Sequence, residues 1–266
     1  MSAATPIRVI VFTGGPELQP DVLDFVGRLE KEADIQLLGI FCQAGACGLG
    51  GVVRDLWARR GFLALPLLLQ RWLRIATDAA LAPSRAISRR QTVRDVSDRL
   101  HFLTDIHDPQ VIAQVRALEA DLGLVYGGPI LRQELYSLPK RGTLGIHHGL
   151  TPEYRGKKTT FWAMYNDEDF VGVTMQLISS RLDHGDILAE GKVRVGRAPL
   201  PVVTAKLQRL GIDLYVKVIL QMRDGTARPI PQSAGSGNLY RDPSATDILR
   251  FWWRYFARLL RPKKQS

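Results

Sequence analysis

The chain has 266 residues, 45% of them hydrophobic and 23% charged, with 24 Gly, 15 Pro and two Cys. This composition excludes collagen-like, disordered and disulfide-scaffold proteins, and the length suits one large α/β domain with an appendage or two small domains. The net charge is +10. The excess of positive charge lies in two segments. Residues 54–99 hold ten Arg and four Asp, and residues 227–266 hold six Arg, two Lys and two Asp.

The first 41 residues have the pattern of a strand, a glycine turn, a helix and a second strand. Residues 7–12 are a short β-branched run, residues 20–31 repeat apolar side chains at helical spacing, and residues 35–41 are again apolar. This order predicts the opening of a parallel α/β sheet. The turn after the first strand, Thr13-Gly14-Gly15, is a candidate anion-binding turn for a substrate, with a plain tight turn as the alternative.

Residues 43–99 lack this regularity and are expected to form a basic helical insertion. The alternating pattern then returns, and it ends in a long amphipathic helix at 201–222. We expect a catalytic domain over 1–226, a linker rich in Pro, Gly and Ser over 227–243, and a basic amphipathic helix over 244–266. Within the domain, strands are predicted at 100–103, 122–126, 142–147 and 171–179, and helices at 108–120, 130–138 and 159–166.

The candidate catalytic residues lie between 142 and 190. Strand periodicity places Gly145 and His147 on one face, with Ile146 and His148 on the other. Because neighbouring strand residues point in opposite directions, we expect no metal site at the two histidines. A histidine at the end of a strand beside a carboxylate such as Asp183 suits general acid–base catalysis, and a hydrogen-bonded structural histidine is the alternative.

This segment resembles the folate-dependent formyltransferases, namely the methionyl-tRNA formyltransferases, glycinamide ribonucleotide transformylases and sugar N-formyltransferases. Members carry Asn-x-His, a Pro, an aromatic residue followed by Arg-Gly, and later Leu-Asp-x-Gly. This chain has Gly145-Ile146-His147, Pro152, Tyr154-Arg155-Gly156 and Leu182-Asp183-His184-Gly185. The separation of 36 residues between His147 and Asp183 fits that family. The resemblance covers about residues 7–41 and 100–225.

The resemblance implies a mostly parallel, Rossmann-like sheet of the formyltransferase fold and 10-formyltetrahydrofolate as the formyl donor. It implies that His147 acts as acid and base and helps to stabilise a tetrahedral intermediate, while Asp183 orients His147 and relays a proton. Two loops would contact the pterin: Gly128, Pro129, Ile130 and Leu131 on one side, and Ile178, Ser179, Ser180, Arg181 and Leu182 on the other. The possible substrate-binding residues are Thr13, Gly14, Gly15, His148, Tyr154, Arg155 and Lys157.

The chain departs from the family pattern at Gly145, where the family has Asn. Glycine has no side chain to donate, and losing one oxyanion donor reduces the rate by about 10²–10³. Three explanations stay open. Another donor (His148, Thr143 or a water) fills the gap, or the chemistry is a related group transfer with a different donor or substrate. In the third, the protein is a non-catalytic formyltransferase-like binding protein.

The two basic segments, 57–75 and 244–264, combine Arg with aromatic and aliphatic residues. This combination is typical of helices at an anionic membrane surface. The alternatives are solvated Arg faces and packing on the domain or on a second subunit, as in a homodimer. Transfer RNA would also explain the charge, but we disfavour it because the tail is too short for the C-terminal domain of methionyl-tRNA formyltransferases.

We therefore expect a small-molecule or lipid-linked amine as acceptor, for example an amino sugar or a cell-envelope precursor. The N-terminus lacks a signal-peptide pattern, and the longest apolar stretch, at 62–69, is too short to span a bilayer. Cys42 and Cys47 are too few for a disulfide framework. These features predict a cytoplasmic protein, with a peripheral position at the inner face of the membrane as a further possibility.

Overall fold

A computed structural model describes residues 5–15, 17–44, 83–232 and 237–260. The chain divides into two compact units, residues 1–140 and residues 141–266. The predicted catalytic segment 142–190 lies entirely in the second unit. The predicted domain boundary near residue 226 is therefore not the point at which the compact units divide.

Unit 1 is a parallel sheet with helices between its strands. The strand order is β3-β2-β1-β4, and all three strand pairs are parallel. A single 3₁₀ turn, Ser97–Arg99, precedes β3. The elements in chain order are β1 (Ile7–Gly14), α1 (Pro20–Leu29), β2 (Ile35–Gln43), α2 (Pro83–Asp95), β3 (Leu100–Leu103), α3 (Pro109–Ala117), β4 (Leu122–Val125) and α4 (Gln133–Tyr136).

Local sequence signals explain these elements. Pro20 begins α1, where its missing N–H is not needed, and the apolar residues of α1 are buried as its period predicts. Asp108 caps α3 by accepting a hydrogen bond from the N–H of Gln110 at 2.8 Å. Phe12 and Phe41, on the adjacent strands β1 and β2, pack into one fully buried cluster.

Unit 2 is an antiparallel sheet covered by helices. The strand order is β5-β7-β8, and a small second sheet pairs β6 with β9 in parallel. Phe161, Val173 and Leu207 belong to its buried core. The elements are β5 (Thr143–His147), β6 (Tyr154–Gly156), α5 (Thr159–Tyr165), β7 (Phe170–Leu177), β8 (Ile187–Arg194), α6 (Leu200–Arg223), β9 (Asn238–Tyr240) and α7 (Ala245–Leu260).

The α/β prediction is confirmed, with four parallel strands in unit 1 and three antiparallel strands in unit 2. The predicted helix at 130–138 is only the four residues of α4. Strand β8 was not predicted. The expected insertion continues as α2, whereas residues 45–82, including the basic segment 57–75, lie outside the described residues.

The predicted linker 227–243 is not free of structure. Ile230 exchanges two backbone hydrogen bonds with Ile187, the first residue of β8, both at 2.8 Å, and β9 pairs with β6. Backbone groups make these contacts, so the Pro- and Gly-rich composition gave no sign of them. The segment therefore returns the chain to the loop that carries Asp183.

Candidate active site

His147 ends β5 and lies between two hydrogen-bond acceptors. Its Nδ1 is 3.4 Å from Oδ1 of Asp183, and its Nε2 is 2.7 Å from the carbonyl oxygen of Tyr154. The residue is 8% exposed. A carbonyl oxygen only accepts, so Nε2 carries a proton in this arrangement. The carboxylate of Asp183 is an acceptor as well, so both ring nitrogens of His147 face acceptors.

Asp183 is positioned by a loop with little conformational freedom. Its backbone is left-handed, with φ of 51°, and its Oδ2 accepts the N–H of Gly156 at 2.9 Å. Gly185 is required in this loop, since a Cβ there would lie 1.6 Å from the carbonyl oxygen of Leu177. The N–H of Leu177 in turn donates to the carbonyl of Asp186 at 3.0 Å. An aspartate in a sparsely populated conformation, turned toward a histidine, is typical of a functional loop.

His148, the next residue along the chain, has a different environment. Its Nε2 is buried and makes no hydrogen bond to any described residue. Burial, and secondarily the neighbouring His147, lowers the pKa of His148 from 6.5 to about 4, so the ring is neutral near pH 7. His148 lines a cavity of about 140 Å³ between the loop after β5, α5 and the start of β7. Nothing in the described residues brings it to Asp183.

Ile178 occupies the space that a side chain at position 145 would need. A Cβ on Gly145 would lie 2.5 Å from Cδ1 of Ile178. Gln176 is the cross-strand partner of Gly145, and its Oε1 accepts a hydrogen bond from Nε2 of Gln232 at 2.9 Å. This wall of the site is therefore apolar where the family pattern has a carboxamide.

The predicted substrate-binding residues of the loop after β5 mostly contact other parts of unit 2. The hydroxyl of Tyr154 donates to Glu168 at 2.8 Å, and its ring stacks on Tyr240. Burial raises the pKa of this hydroxyl. Arg155 donates to the carbonyl of Gly237 at 3.3 Å, and Lys157 is 3.4 Å from the carboxylate of Asp242. Tyr154 reaches His147 only through its carbonyl.

The first predicted pterin loop, residues 128–131, lies in unit 1. Gly128 packs so closely that a Cβ would lie 3.0 Å from the carbonyl oxygen of Phe12, and Pro129 follows it near Gly14. Leu131 is buried in the unit 1 core and is not available to a ligand. Ile130 is 75% exposed.

The second predicted pterin loop, residues 178–182, lies in unit 2. Ser179 forms a local turn with Arg181, since its Oγ donates to the Arg181 carbonyl at 3.1 Å. Ser180 and Arg181 are exposed, and Leu182 is 53% exposed. Each loop thus presents one aliphatic side chain, Ile130 or Leu182, to solvent. Within unit 2, the exposed Leu182 next to Asp183 is an apolar surface of the kind on which a flat heteroaromatic ring such as a pterin packs.

The glycine turn after β1 is less open to an anion than its sequence indicates. The N–H of Gly15 already donates to the carbonyl of Gln43 at 3.0 Å, and the carbonyl of Gly15 accepts from the Cys42 thiol at 3.3 Å. Gly14 is paired with Gln43 in the sheet. The Oγ1 of Thr13 is buried, without a hydrogen-bond partner among the described residues. Among the described residues, the Thr13 hydroxyl is therefore the side-chain polar group of this turn that is left for a ligand.

Gln232 is a residue of the site that sequence reasoning missed. Its Nε2 donates to the carbonyl of Gly185 at 2.6 Å and to Gln176 at 2.9 Å, so it ties the Asp183 loop to β7. It lies in the segment predicted as a linker, where no periodic pattern singles it out. Within the described part of the chain, no group of three or more His, Cys, Asp or Glu is placed to bind a metal ion.

The fold agrees with comparisons to known proteins. The family model described as Formyl transferase matches residues 76–219, more than half of the chain, and the chain belongs to that family. The matched region includes both His147 and Asp183.

The curated relatives are methionyl-tRNA formyltransferases. The one from Synechococcus sp. (strain JA-2-3B'a(2-13)) is 31% identical over 225 residues, 84% of this chain and 60% of the relative. That from Roseiflexus sp. (strain RS-1) is 30% identical over 234 residues, again 60% of its length. The chain therefore spans about 60% of these relatives. Their names contradict our expectation about partners, and the argument from tail length that disfavoured tRNA is wrong.

Solved structures show the same fold at low identity. A 4-N formyltransferase from Francisella tularensis superposes with a TM-score of 0.58 at 18% identity, over 98% of this chain and 90% of that one. A phosphoribosylglycinamide formyltransferase from Bacillus halodurans gives a TM-score of 0.56 at 15% identity, over 81% and 94%. The formyltransferase fold predicted from the sequence is confirmed.

Proposed function

We propose that this protein is an N-formyltransferase that moves a formyl group from 10-formyltetrahydrofolate to an amine. The observation that carries this proposal is the placement of His147 between the Asp183 carboxylate and the Tyr154 carbonyl. A buried imidazole with an acceptor at each ring nitrogen is held in one orientation, and a developing oxyanion is stabilised best by groups that are preorganised in this way. Membership of the formyl transferase family supports the reaction class.

The donor, when bound, supplies an activated formyl carbon that an amine can attack. We assign its pterin to the loop 178–182 of unit 2, supported by the exposure of Leu182 next to Asp183. The remaining chemistry belongs to the chain's own residues. His147 provides positive charge next to the formyl oxygen, and Asp183 accepts the proton that the attacking amine loses. The proton returns to the leaving nitrogen, so the overall transfer is balanced.

The absence of a side chain at Gly145 makes His147 the principal charge-stabilising group in this proposal. Cδ1 of Ile178 lies beside that position, so an apolar group stands where the family pattern has a donor. His148 lines the cavity beside α5 and makes no described contact with Asp183, so it does not replace the missing donor. The site thus relies on the ion pair more than a site with an additional carboxamide donor would.

Two acceptors deserve a direct test. The first is methionyl-tRNA, because the curated relatives with 30–31% identity carry that name. The second is an amino sugar, because solved sugar N-formyltransferases share the fold, such as the one from Shewanella sp. FDAARGOS_354 with a TM-score of 0.57. The identity of the acceptor is a separate question from formyl transfer itself.

The test is a formyl-transfer assay with labelled 10-formyltetrahydrofolate and each acceptor, paired with calorimetry of a stable analogue of the donor. We expect micromolar binding of the analogue by the wild type. Asp183→Ala should bind more weakly, because this residue holds the loop next to the pterin. Lys206→Ala, on the exposed surface of α6, is a matched control and should not change binding.

Two results would overturn the proposal at different points. No binding of the analogue at millimolar concentration would remove the folate donor and favour a different group transfer. Binding without transfer to any amine would support a non-catalytic binding protein. Transfer to one acceptor and not the other would establish the reaction and identify the substrate class.

A further inference from the structure

Helix α7 is fixed to unit 2 by one of its faces. Phe251 is 3% exposed and packs on Phe161 of α5, with ring centroids 4.7 Å apart. Arg254 donates to the carbonyl of Tyr165 at 2.6 Å and lies over the ring of the same residue. Arg258 pairs with Asp167. Two of the helix's arginines thus bind the protein itself.

The opposite face of α7 exposes a stripe of large apolar residues. Their spacing of i, i+3, i+4, i+7 and i+11 places them within an arc of about 100° on the helix surface. Trp253 is 73% exposed and Leu260 is 86% exposed. The members of this apolar stripe are Leu249, Trp252, Trp253, Phe256 and Leu260.

The apolar stripe is displayed by an ordered helix. The Oγ of Ser244 accepts the N–H of Asp247 at 3.2 Å, and the Asp247 carboxylate accepts the N–H of Ser244 at 2.9 Å. These reciprocal bonds are a capping box that begins the helix at a defined residue. Together with the buried Phe251, they fix which face of α7 is turned outward, so the exposed residues are presented together.

Charge indicates what covers this face. Arg250 is exposed beside the stripe, and Arg261, Lys263 and Lys264 follow the helix directly in the sequence. An anionic surface attracts these groups, whereas a second copy related by two-fold symmetry would bring them against their own counterparts. RNA would be drawn by the charge, but Leu249 and Leu260 offer nothing to a phosphate backbone.

We propose that α7 is an interfacial anchor that lays the apolar stripe into the headgroup region of an anionic lipid bilayer. Such helices bury their apolar face about 5–10 Å into the boundary between headgroups and acyl chains. Trp side chains favour this layer because their rings are both apolar and hydrogen-bonding. Among the described residues, no helix is long and apolar enough to cross a bilayer, so α7 lies along the surface.

The experiment is co-sedimentation of the full chain with vesicles of phosphatidylcholine, with and without about 30% phosphatidylglycerol. The wild type should bind the anionic vesicles, and its Trp emission should shift to shorter wavelength. The double variant Trp253→Ser/Phe256→Ser should lose at least about tenfold in lipid affinity, because two large apolar side chains no longer enter the interface. Arg250→Glu should lose several-fold, and about 0.5 M salt should weaken the wild type.

Ile87→Ser is the matched control, since Ile87 is 69% exposed on α2 and belongs to unit 1. It should bind vesicles like the wild type, and circular dichroism should show all variants folded. Three results would overturn the proposal: no binding of the wild type to anionic vesicles, full binding by the double variant, or a dimer in sedimentation equilibrium that the double variant abolishes. None of these depends on formyl transfer, which is assayed separately without lipid.

Discussion

His147 at the end of β5 and His148 directly after it are neighbours in the sequence with different chemical environments. His147 has an acceptor at each ring nitrogen, and one of them is the carboxylate of Asp183. His148 is partly buried beside a cavity, its buried Nε2 has no partner among the described residues, and its pKa is lowered to about 4. Residue type and burial alone therefore do not identify a catalytic histidine. The arrangement of hydrogen-bond acceptors around the imidazole ring distinguishes the candidate catalytic histidine from its neighbour.

The strongest test of this difference is His147→Ala against His148→Gln in the formyl-transfer assay. Removing the charge-stabilising imidazole should lower kcat/KM by about 10²–10⁴. His148→Gln should stay within about tenfold of the wild type, because no described contact joins His148 to Asp183. If both variants are folded by circular dichroism and lose kcat/KM equally, the distinction between His147 and His148 is wrong.

Asp183→Asn examines the carboxylate while it keeps the shape of the side chain. The amide can still accept the N–H of Gly156, which the carboxylate accepts at 2.9 Å, but it cannot stabilise a cation. We expect kcat to fall by about 10², since a catalytic proton acceptor is lost. Affinity for the donor analogue should change less than in Asp183→Ala. If Asp183→Asn keeps wild-type kcat, the ion pair is structural and not catalytic.

His148 should make folding stability depend on pH. Its pKa is about 4 in the folded protein and 6.5 when unperturbed, so between these values the unfolded chain binds more protons. Stability is therefore present above pH 6.5 and is lost as the pH falls toward 4. The full loss is about 3 kcal/mol, at 1.36 kcal/mol per pKa unit.

The measurement is urea unfolding of the wild type and His148→Gln at several pH values between 4 and 7. The difference between the two proteins isolates His148 from the other titrating groups. The wild type should lose stability relative to His148→Gln as the pH decreases. Parallel curves would show that this ring is protonated without penalty, and the buried environment described for it would be incorrect.

Gly145→Asn alone should not restore a donor on the His147 face, because Ile178 occupies the space. A new side chain meets Ile178 at 2.5 Å, and such overpacking destabilises by about 1–3 kcal/mol. Ile178→Ala removes the obstructing atoms, so the double variant should recover part of that stability. A coupling of about 1 kcal/mol in a double-mutant cycle of unfolding free energies would confirm the contact. Additive effects would contradict it.

Sequence patterns predicted the parts of this molecule that depend on side-chain periodicity. The buried β-branched strands and the 3.6-residue period of α1 are visible because burial selects the residue type. The pairing of His147 with Asp183 came from motif order and spacing, and the structure places them 3.4 Å apart.

The contacts that the sequence did not reveal are formed by backbone groups or by residues distant along the chain. The residues of β8 alternate only weakly in burial, and several are charged, such as Lys192, so the sequence lacks the apolar pattern that predicts a strand. The pairing of Ile230 with Ile187 uses main-chain groups, which leave no pattern in side-chain type. Ile178 and Gly145 are complementary only because β7 pairs with β5. Composition alone therefore gave no sign of the contacts that the segment after α6 makes.

Gln232 tests whether the segment after α6 contributes to the catalytic site. Its amide joins Gly185 and Gln176, so it restrains the Asp183 loop from outside the catalytic pair. Gln232→Leu keeps the volume but removes both hydrogen bonds, and we expect about 1 kcal/mol less stability and a loss of kcat of several-fold. Gln232→Glu should recover neither bond, because a carboxylate cannot donate to a carbonyl, whereas Gln232→Asn could restore one.

Hydrogen exchange at the amide of Leu177, which donates to Asp186, would report directly on the loop. A free linker predicts unchanged exchange and unchanged kcat in Gln232→Leu. If Gln232 restrains the loop, exchange at Leu177 and kcat should change together in Gln232→Leu. The pH dependence of stability that His148 causes should stay as in the wild type. Gln232→Leu has the smallest expected effect, but it distinguishes His147 from His148 most clearly, because it should change the surroundings of His147 and leave those of His148 unchanged.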